Sequence, residues 1–316
     1  MSATDETDAV EGRFPDFHIV GAAKCGTTTL AAYLARHPGI HLSRRKEPEF
    51  FAKGSPVAAD TEHYKNLFSN SLGKLAGEAS TIYSRAPHFE GVPGRIAQAT
   101  PNAKIIYIVR EPVYRAHADC AMVQRFWYNT HREQRFSPSF EEAIGSSDPL
   151  MNSVIDTGRF HFQLSQYLEC FPRENIYVVD MDSLVTSPRT VLPPVLRFLG
   201  AGEPAGDDFY TELRKNRRHD FEAKTRRARL RRFLSRLPLA GMLRNVLPDS
   251  AKEFVYTAMQ DRVSLADVTL PPMQESTFLR LRDFYADDSR LLARDFGIDT
   301  ARWSRLSYEQ YVSQCR

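Results

Sequence analysis

A short loop near the start of the chain has the composition of a phosphate-binding turn. Gly21 to Thr28 reads GAAKCGTT, and its small residues let the backbone approach an anion closely. An apolar run, Phe17 to Val20, precedes the loop, and Leu30, Tyr33 and Leu34 follow it at helical spacing. A loop that leads from a strand into a helix presents unpaired backbone N–H groups, which bind phosphate. The pattern therefore predicts a site for the phosphate of a nucleotide.

The position of the lysine separates this loop from the ATP-binding kind. An ATP-binding loop reads GxxxxGK[ST], with lysine directly after the second glycine and a hydroxyl that binds magnesium. Here Thr27 follows the second glycine, and the lysine lies inside the loop as Lys24. A sulfuryl group in transfer carries less negative charge than a γ-phosphoryl group, so one lysine beside the bridging oxygen could suffice without a metal. A kinase or nucleoside triphosphatase remains an alternative, as does a small-residue turn that carries a solvated lysine.

The elements that must position this loop follow from hydrophobic patterning. Lys104 to Arg110 and Asn175 to Asp180 are apolar runs typical of strands buried on both faces, and Leu75 to Ser80 is a weaker strand pattern. Helices are expected at 112–128, after a Ser139/Glu142 capping box, at 156–171 and at 188–199, where Gly200 ends the last one. Strands that alternate with helices predict an α/β fold with a central, mostly parallel sheet flanked by helices in three layers. A mainly helical C-terminal region is expected from about residue 225 to Phe296.

Composition narrows the class of protein. The chain has 316 residues and a net charge of +3, which is too small to indicate a nucleic-acid binder. Four dispersed cysteines without metal-ligand spacing argue against a metal site or a disulfide framework. Residues 1–14 are polar and acidic and are expected to form a disordered tail, followed by one domain over 15–316. The tail does not resemble a signal peptide and no apolar run is long enough to span a bilayer, so a cytoplasmic location is expected.

Five segments along the chain carry a family resemblance. They are GAAKCGTTTLAAYLARHP, KEPEFF at Lys46–Phe51, GEASTIY at Gly77–Tyr83, IYIVREPVYRAHA at Ile106–Ala118, and NIYVVDMDSL followed by VLRFLG. In this order they resemble the sulfotransferases that use 3′-phosphoadenosine 5′-phosphosulfate (PAPS), in particular heparan sulfate sulfotransferase domains and their bacterial relatives. The resemblance implies a three-layer fold like that of the P-loop NTPases. It also implies an enzyme that uses PAPS as co-substrate, releases the desulfated nucleotide PAP and needs no metal.

The resemblance assigns a role to particular residues. Lys24 would stabilise the leaving phosphate oxygen, Glu78 would take the acceptor's proton, and Arg110 would bind the 3′-phosphate of the donor. Further donor contacts are expected from Ala23, Cys25, Gly26, Thr27, Thr28 and Thr29 in the loop and from Lys224 and Arg226 in a late basic stretch. That stretch, Arg214 to Arg232, otherwise reads as a solvated helix face, or as a surface that attracts an acidic acceptor or an anionic membrane. His117 is a weaker alternative to Glu78 as the base.

Two positions depart from the family pattern. Ala118 replaces a serine that usually binds the 3′-phosphate, which leaves a catalytically inactive nucleotide-binding relative as a second alternative. Ala79 replaces a lysine common in the glycan-modifying enzymes, so a heparan-like acceptor is less expected. Lys46, Glu47 and Glu49 either line the acceptor side of the cleft or form a solvated turn. The expected partner is an acceptor with a hydroxyl or amine on a glycan, lipid or small metabolite, without nucleic acid; peripheral membrane contact and oligomeric state stay open.

Overall fold

A computed structural model describes most of the chain. The described residues are 12–43, 45–52, 54, 58–130, 137–145, 149–204, 206–211 and 270–315. Lys224 and Arg226 lie outside them, as do residues 1–11 of the predicted tail. Residues 12–14 are described, and the ring of Phe14 lies 6.0 Å from that of Tyr64.

The chain divides into two compact units. One comprises residues 1–123, 137–213 and 270–316, and the other comprises 124–136 and 214–269. The second unit lies almost entirely outside the described residues, so the prediction of a single domain over 15–316 stays a prediction. The described residues that carry the site below belong to the first unit.

Five parallel strands form the central sheet of the first unit. They are β1 (Phe17–Gly21), β2 (Ile40–Leu42), β3 (Leu75–Ala79), β4 (Lys104–Val109) and β5 (Ile176–Asp180), in the order β2-β3-β1-β4-β5. Ile105 to Val109 of β4 are fully buried, as the continuous apolar run predicts. The sheet and the helices around it confirm the predicted α/β class.

Helices connect and cover the strands. Those described are α1 (Thr27–Leu34), α2 (Ala58–Asn66), α3 (Val92–Ala99), α4 (Pro112–Thr130), α5 (Phe140–Ile144), α6 (Pro149–Asp156), α7 (Phe160–Leu168), α8 (Met181–Thr186), α9 (Pro188–Leu199), α10 (Glu275–Phe296), α11 (Ala301–Ser304) and α12 (Tyr308–Cys315). Gly200 ends α9 in the left-handed conformation, with φ 77°. Ser139 caps α5 by accepting the backbone N–H of Glu142 at 3.2 Å. Both features match the sequence-based predictions.

One predicted helix is wrong in its bounds. The sequence predicts a single helix over 156–171, whereas α6 ends at Asp156 and α7 begins at Phe160. Gly158 lies at the break, and a Cβ atom there would approach the ring of Tyr285 to 2.8 Å. The chain turns at this point because the backbone packs directly against a buried tyrosine of α10.

The strand order determines where a ligand can bind. β1 lies between β3 and β4, so the segments that follow these three strands meet at the carboxyl edge of the sheet. Parallel α/β sheets bind their ligands at this edge, beside the point where the strand order reverses. The segments concerned are the loop before α1, the turn Ser80–Ser84 and the start of α4.

Candidate active site

The loop between β1 and α1 has the conformation of an anion-binding turn. Lys24 and Gly26 both adopt left-handed backbone angles, with φ of 68° and 89°. Gly26 is the N-cap of α1, and among the described residues no side chain caps this helix. The first N–H groups of a helix lack intrahelical acceptors, and in this helix they belong to Gly26, Thr27 and Thr28. These groups, together with the positive end of the helix dipole, fit a phosphate.

The side chains of the loop point in opposite directions. Ala22, Ala23 and Cys25 are buried, whereas Lys24 is exposed. Burial raises the pKa of the Cys25 thiol to about 12, which keeps it protonated. Ala23 and Cys25 can therefore contact a nucleotide only through their backbone, and Lys24 is the loop side chain that can bring a cation to it.

Replacing Gly26 should affect both stability and donor binding. In Gly26→Ala the left-handed backbone should cost about 1–2 kcal/mol, and the new Cβ would lie 3.3 Å from Met181 Cγ. Gly200→Ala is the matched control, because Gly200 has φ 77° and a Cβ there would meet no atom of the described residues within 4 Å. Urea unfolding should show a loss of stability in both variants, while calorimetry with PAP should show weaker binding only in Gly26→Ala. Equal PAP affinity in the two variants would contradict a role for this loop in binding.

Arg110 directly follows β4 and lies at the same edge of the sheet. Its guanidinium lies over the ring of Tyr114, 5.6 Å from the ring centroid, and the Tyr114 hydroxyl donates to the carbonyl of Gln310 at 2.9 Å. Ala118 lies one helical turn beyond Tyr114 and contributes no hydrogen-bonding side chain. The predicted 3′-phosphate element thus keeps its arginine, which α4 and α12 help to position.

Glu111 is a residue of this element that sequence analysis missed. Its carboxylate caps α4 by accepting the backbone N–H groups of Val113 at 3.1 Å and Tyr114 at 2.6 Å. Burial raises the pKa of Glu111 to about 7. An acidic residue directly before the proline that starts a helix is a capping signal that the sequence did contain.

Glu78, the predicted base, lies at the centre of a buried hydrogen-bond network. Only 1 % of Glu78 is exposed. Its Oε1 accepts from the hydroxyls of Tyr64 at 2.5 Å and Tyr83 at 3.0 Å and lies 3.1 Å from His18 Nδ1, while Oε2 accepts from Ser80 Oγ at 2.9 Å. We call these five residues the Glu78 cluster. The carboxylate is therefore well placed to organise its surroundings and poorly exposed to an incoming acceptor.

Glu47 offers a second carboxylate at the same edge of the sheet. It is partly exposed, and its Oε2 accepts from both the backbone N–H and the hydroxyl of Thr81, each at 3.0 Å. Glu47 and Glu49 have φ of 53° and 58°, a conformation that is uncommon outside glycine. Such strain persists where the surroundings enforce it, and it is concentrated at functional sites.

Asp180, at the end of β5, has a structural role. It caps α8 by accepting the backbone N–H of Ser183 at 2.7 Å and the Ser183 hydroxyl at 2.6 Å. It also pairs with Arg302 of α11. The Asp180 carboxylate is thus engaged in a helix cap and an ion pair.

The chain has an α/β fold with a parallel central sheet, and the loop before its first helix has the geometry of an anion-binding turn. The sulfotransferase domain family matches residues 14–231, which is more than half of the chain. The chain belongs to this family. The match confirms the predicted family and the predicted enzyme class, a transferase of the sulfotransferase type.

Two curated relatives are similar to this chain to about the same degree. Mouse bifunctional heparan sulfate N-deacetylase/N-sulfotransferase 3 is 31 % identical over 208 residues, covering 60 % of this chain and 22 % of its own length. Mouse heparan sulfate glucosamine 3-O-sulfotransferase 5 is 30 % identical over 193 residues, covering 59 % of this chain and 54 % of its own length. The chain thus corresponds to about a fifth of the first relative and about half of the second.

A solved structure has the same fold. The sulfotransferase from Alicyclobacillus acidocaldarius aligns with a TM-score of 0.57 at 23 % identity, over 92 % of this chain and 98 % of that one. Among the residues that the structure describes, no helix is both long and apolar enough to cross a membrane.

Proposed function

We propose that the protein transfers a sulfuryl group from PAPS to a hydroxyl or amine of a glycan, a lipid or a small molecule. The observation that carries this proposal is the uncapped N-terminus of α1 with Lys24 beside it, in a chain of the sulfotransferase family. PAPS supplies the activated sulfuryl group and leaves as PAP. No metal is assigned a part in the proposal, and a cytoplasmic location stays a prediction.

The residues of the loop bind and stabilise the 5′ end of the donor. The N–H groups of Gly26, Thr27 and Thr28 donate to the 5′-phosphate, with the two threonine hydroxyls nearby, and the backbone of Ala23, Cys25 and Thr29 completes the predicted set. Lys24 neutralises negative charge that develops on the bridging oxygen as the sulfur–oxygen bond breaks. Arg110 binds the 3′-phosphate through its planar fork of N–H donors. Lys224 and Arg226 stay predicted contacts.

Two carboxylates compete for the role of base. Glu78 is the sequence-based choice, and that assignment stays untested. The contacts favour Glu47 for direct proton transfer, because Glu47 is partly exposed whereas Glu78 is buried among four side chains. We therefore propose that Glu47 takes the proton of the acceptor as the new bond to sulfur forms. A general base must come within hydrogen-bond reach of the proton that it removes.

Glu47→Gln should remove the base and leave the shape of the turn. We expect kcat to fall about 10²–10⁴-fold, the usual contribution of a positioned base, with little change in the KM for PAPS. The acidic limb of the kcat–pH profile should disappear. Glu49→Gln, in the same turn and with the same backbone conformation, is the control that should keep this limb. A normal acidic limb in Glu47→Gln would assign the proton transfer to another group.

Sulfuryl transfer itself can be tested without knowing the acceptor. The protein is incubated with ³⁵S-labelled PAPS and fractionated extracts of glycans, lipids and small metabolites, and labelled products are identified by mass. A product heavier by one sulfuryl group supports the proposal. Labelling from ATP with magnesium, but not from PAPS, would instead support a kinase. Tight binding of PAP with no transfer to any fraction would indicate an inactive nucleotide-binding relative.

A further inference from the structure

We propose that Glu78 is a positioning residue: through the hydroxyls of Ser80 and Tyr83 it holds the strained turn Glu47–Glu49 that presents the base. This inference rests on the proposed function, because it assigns the proton transfer to Glu47. It gives the most buried carboxylate of the site a task that needs no contact with substrate.

Two hydroxyl groups connect Glu78 to the backbone of the turn. Ser80 Oγ donates to Glu78 at 2.9 Å and accepts the backbone N–H of Glu49 at 3.2 Å. The Tyr83 hydroxyl donates to Glu78 at 3.0 Å and accepts the backbone N–H of Phe51 at 3.2 Å. The turn Glu47–Glu49 and the single 3₁₀-helical turn after it, Phe50–Ala52, are thus attached at two points to one carboxylate.

The direction of these hydrogen bonds depends on the charge of Glu78. An ionised carboxylate only accepts, so both hydroxyl protons point towards it and both hydroxyl oxygens are left to accept from the backbone. Burial and the Glu78 charge raise the pKa of Tyr64 and of Tyr83 well above the usual value, so both phenols remain donors. A neutral amide at position 78 would present its own N–H groups and reverse at least one of the hydroxyls.

The turn needs such an attachment because its backbone is strained. Left-handed conformations of non-glycine residues cost about 1–3 kcal/mol each, and Glu47 and Glu49 both adopt one. The Thr81 contacts hold the Glu47 side chain, and the two hydroxyl groups hold the backbone that carries it. If these attachments were lost, the turn would relax and the carboxylate would move away from the reacting atoms.

Tyr64 provides a matched comparison within the same cluster. Like Tyr83, it is a buried tyrosine whose hydroxyl donates to Glu78 Oε1. Its ring stacks on Phe50 with centroids 4.2 Å apart, so removing only the hydroxyl keeps the packing. Tyr83 differs from it because the Tyr83 hydroxyl also accepts a backbone N–H, that of Phe51.

The test compares Tyr83→Phe, Ser80→Ala and Tyr64→Phe. Tyr83→Phe should speed hydrogen exchange at the Phe51 amide and Ser80→Ala at the Glu49 amide, each by about tenfold or more, as expected where a local contact is removed. Each should lower kcat about 10–10²-fold, the scale of an ångström-sized misplacement, at unchanged KM for PAPS. The loss of kcat in Tyr64→Phe should be several-fold smaller than the loss in Tyr83→Phe or Ser80→Ala. Equal losses in Tyr64→Phe and Tyr83→Phe would mean that the cluster only supports packing, and would overturn the proposal.

Glu78→Gln separates positioning from proton transfer. We expect a kcat reduced about 10²-fold that keeps its acidic limb, since Glu47 remains as the base. Loss of that limb in Glu78→Gln, with retention in Glu47→Gln, would make Glu78 the base and overturn the proposal. If the wild-type protein transferred no sulfuryl group at all, the proposed function would fail, while the exchange rates of the two amides would still decide whether Glu78 holds the turn.

Discussion

Lys24→Ala should lower kcat for sulfuryl transfer by about 10²–10³-fold, the effect of removing one group that stabilises charge in the transition state. In the proposed mechanism the charge on the bridging oxygen grows as the sulfur–oxygen bond breaks, so we expect Lys24 to act mainly on the transition state. The affinity for PAP should therefore change much less than kcat. The assay is single-turnover transfer from labelled PAPS, paired with calorimetric titration of PAP.

Lys74→Ala is the control for Lys24→Ala. Lys74 is also exposed, but it directly precedes β3 and so lies at the opposite edge of the sheet. The Lys74→Ala variant should keep full activity. If Lys24→Ala kept wild-type kcat while binding PAP more weakly, the lysine would be a binding group and the assigned mechanism would be incorrect.

Asp119→Asn should destabilise the fold by about 3–5 kcal/mol, as is usual when one member of a buried ion pair is removed. Asp119 is fully buried, and its carboxylate accepts from Arg85 at 2.8 Å and from Arg115 at 3.0 Å. Arg115 is fully buried too, so the variant leaves two guanidinium groups without the carboxylate that balances them. Urea unfolding at neutral pH measures the loss.

The Asp119 carboxylate should also make the stability of the fold depend on pH. Burial alone would raise the pKa of Asp119, but the charges of Arg85 and Arg115 outweigh it and hold that pKa below its ordinary value. A lowered pKa stabilises the fold at pH values above the unfolded-state pKa of about 3.9, and this contribution is lost as the pH falls through the folded-state pKa. The Asn variant should lack this part of the acid dependence.

Asp207→Asn is the control for Asp119→Asn. Asp207 pairs with Arg189 at 2.6 Å, but both side chains are largely exposed, and exposed pairs contribute little. We expect no measurable change in the urea midpoint. A loss of stability in Asp207→Asn as large as that in Asp119→Asn would show that burial does not decide the strength of these pairs.

The sequence was sufficient for the parts of the fold that depend on local pattern. The buried run of β4, the loop before α1 and the glycine end of α9 follow from hydrophobic spacing and from backbone requirements. The three-residue strand β2 is too short to show a period, and the break before α7 depends on a tyrosine more than a hundred residues away. Contacts of that kind are tertiary and leave no local signal.

The same distinction applies to the site: some of its residues could be predicted from local sequence, whereas others depend on tertiary contacts. Lys24 and Gly26 could be located because they lie in the short loop between β1 and α1, and Arg110 could be located because it directly follows β4. The relation between Glu47 and Glu78 could not, since it depends on the hydroxyls of Ser80 and Tyr83, which contact Glu78 and the backbone of Glu49 and Phe51 only in the folded chain. Ser80 and Tyr83 of GEASTIY were visible in the sequence, but their hydrogen-bond partners were not.

A crystal structure with PAP tests the central claim most directly. We expect the 5′-phosphate to accept from the N–H groups of Gly26, Thr27 and Thr28, with Lys24 beside it and Arg110 at the 3′-phosphate. A nucleotide bound elsewhere, with the loop before α1 not contacting it, would contradict the account.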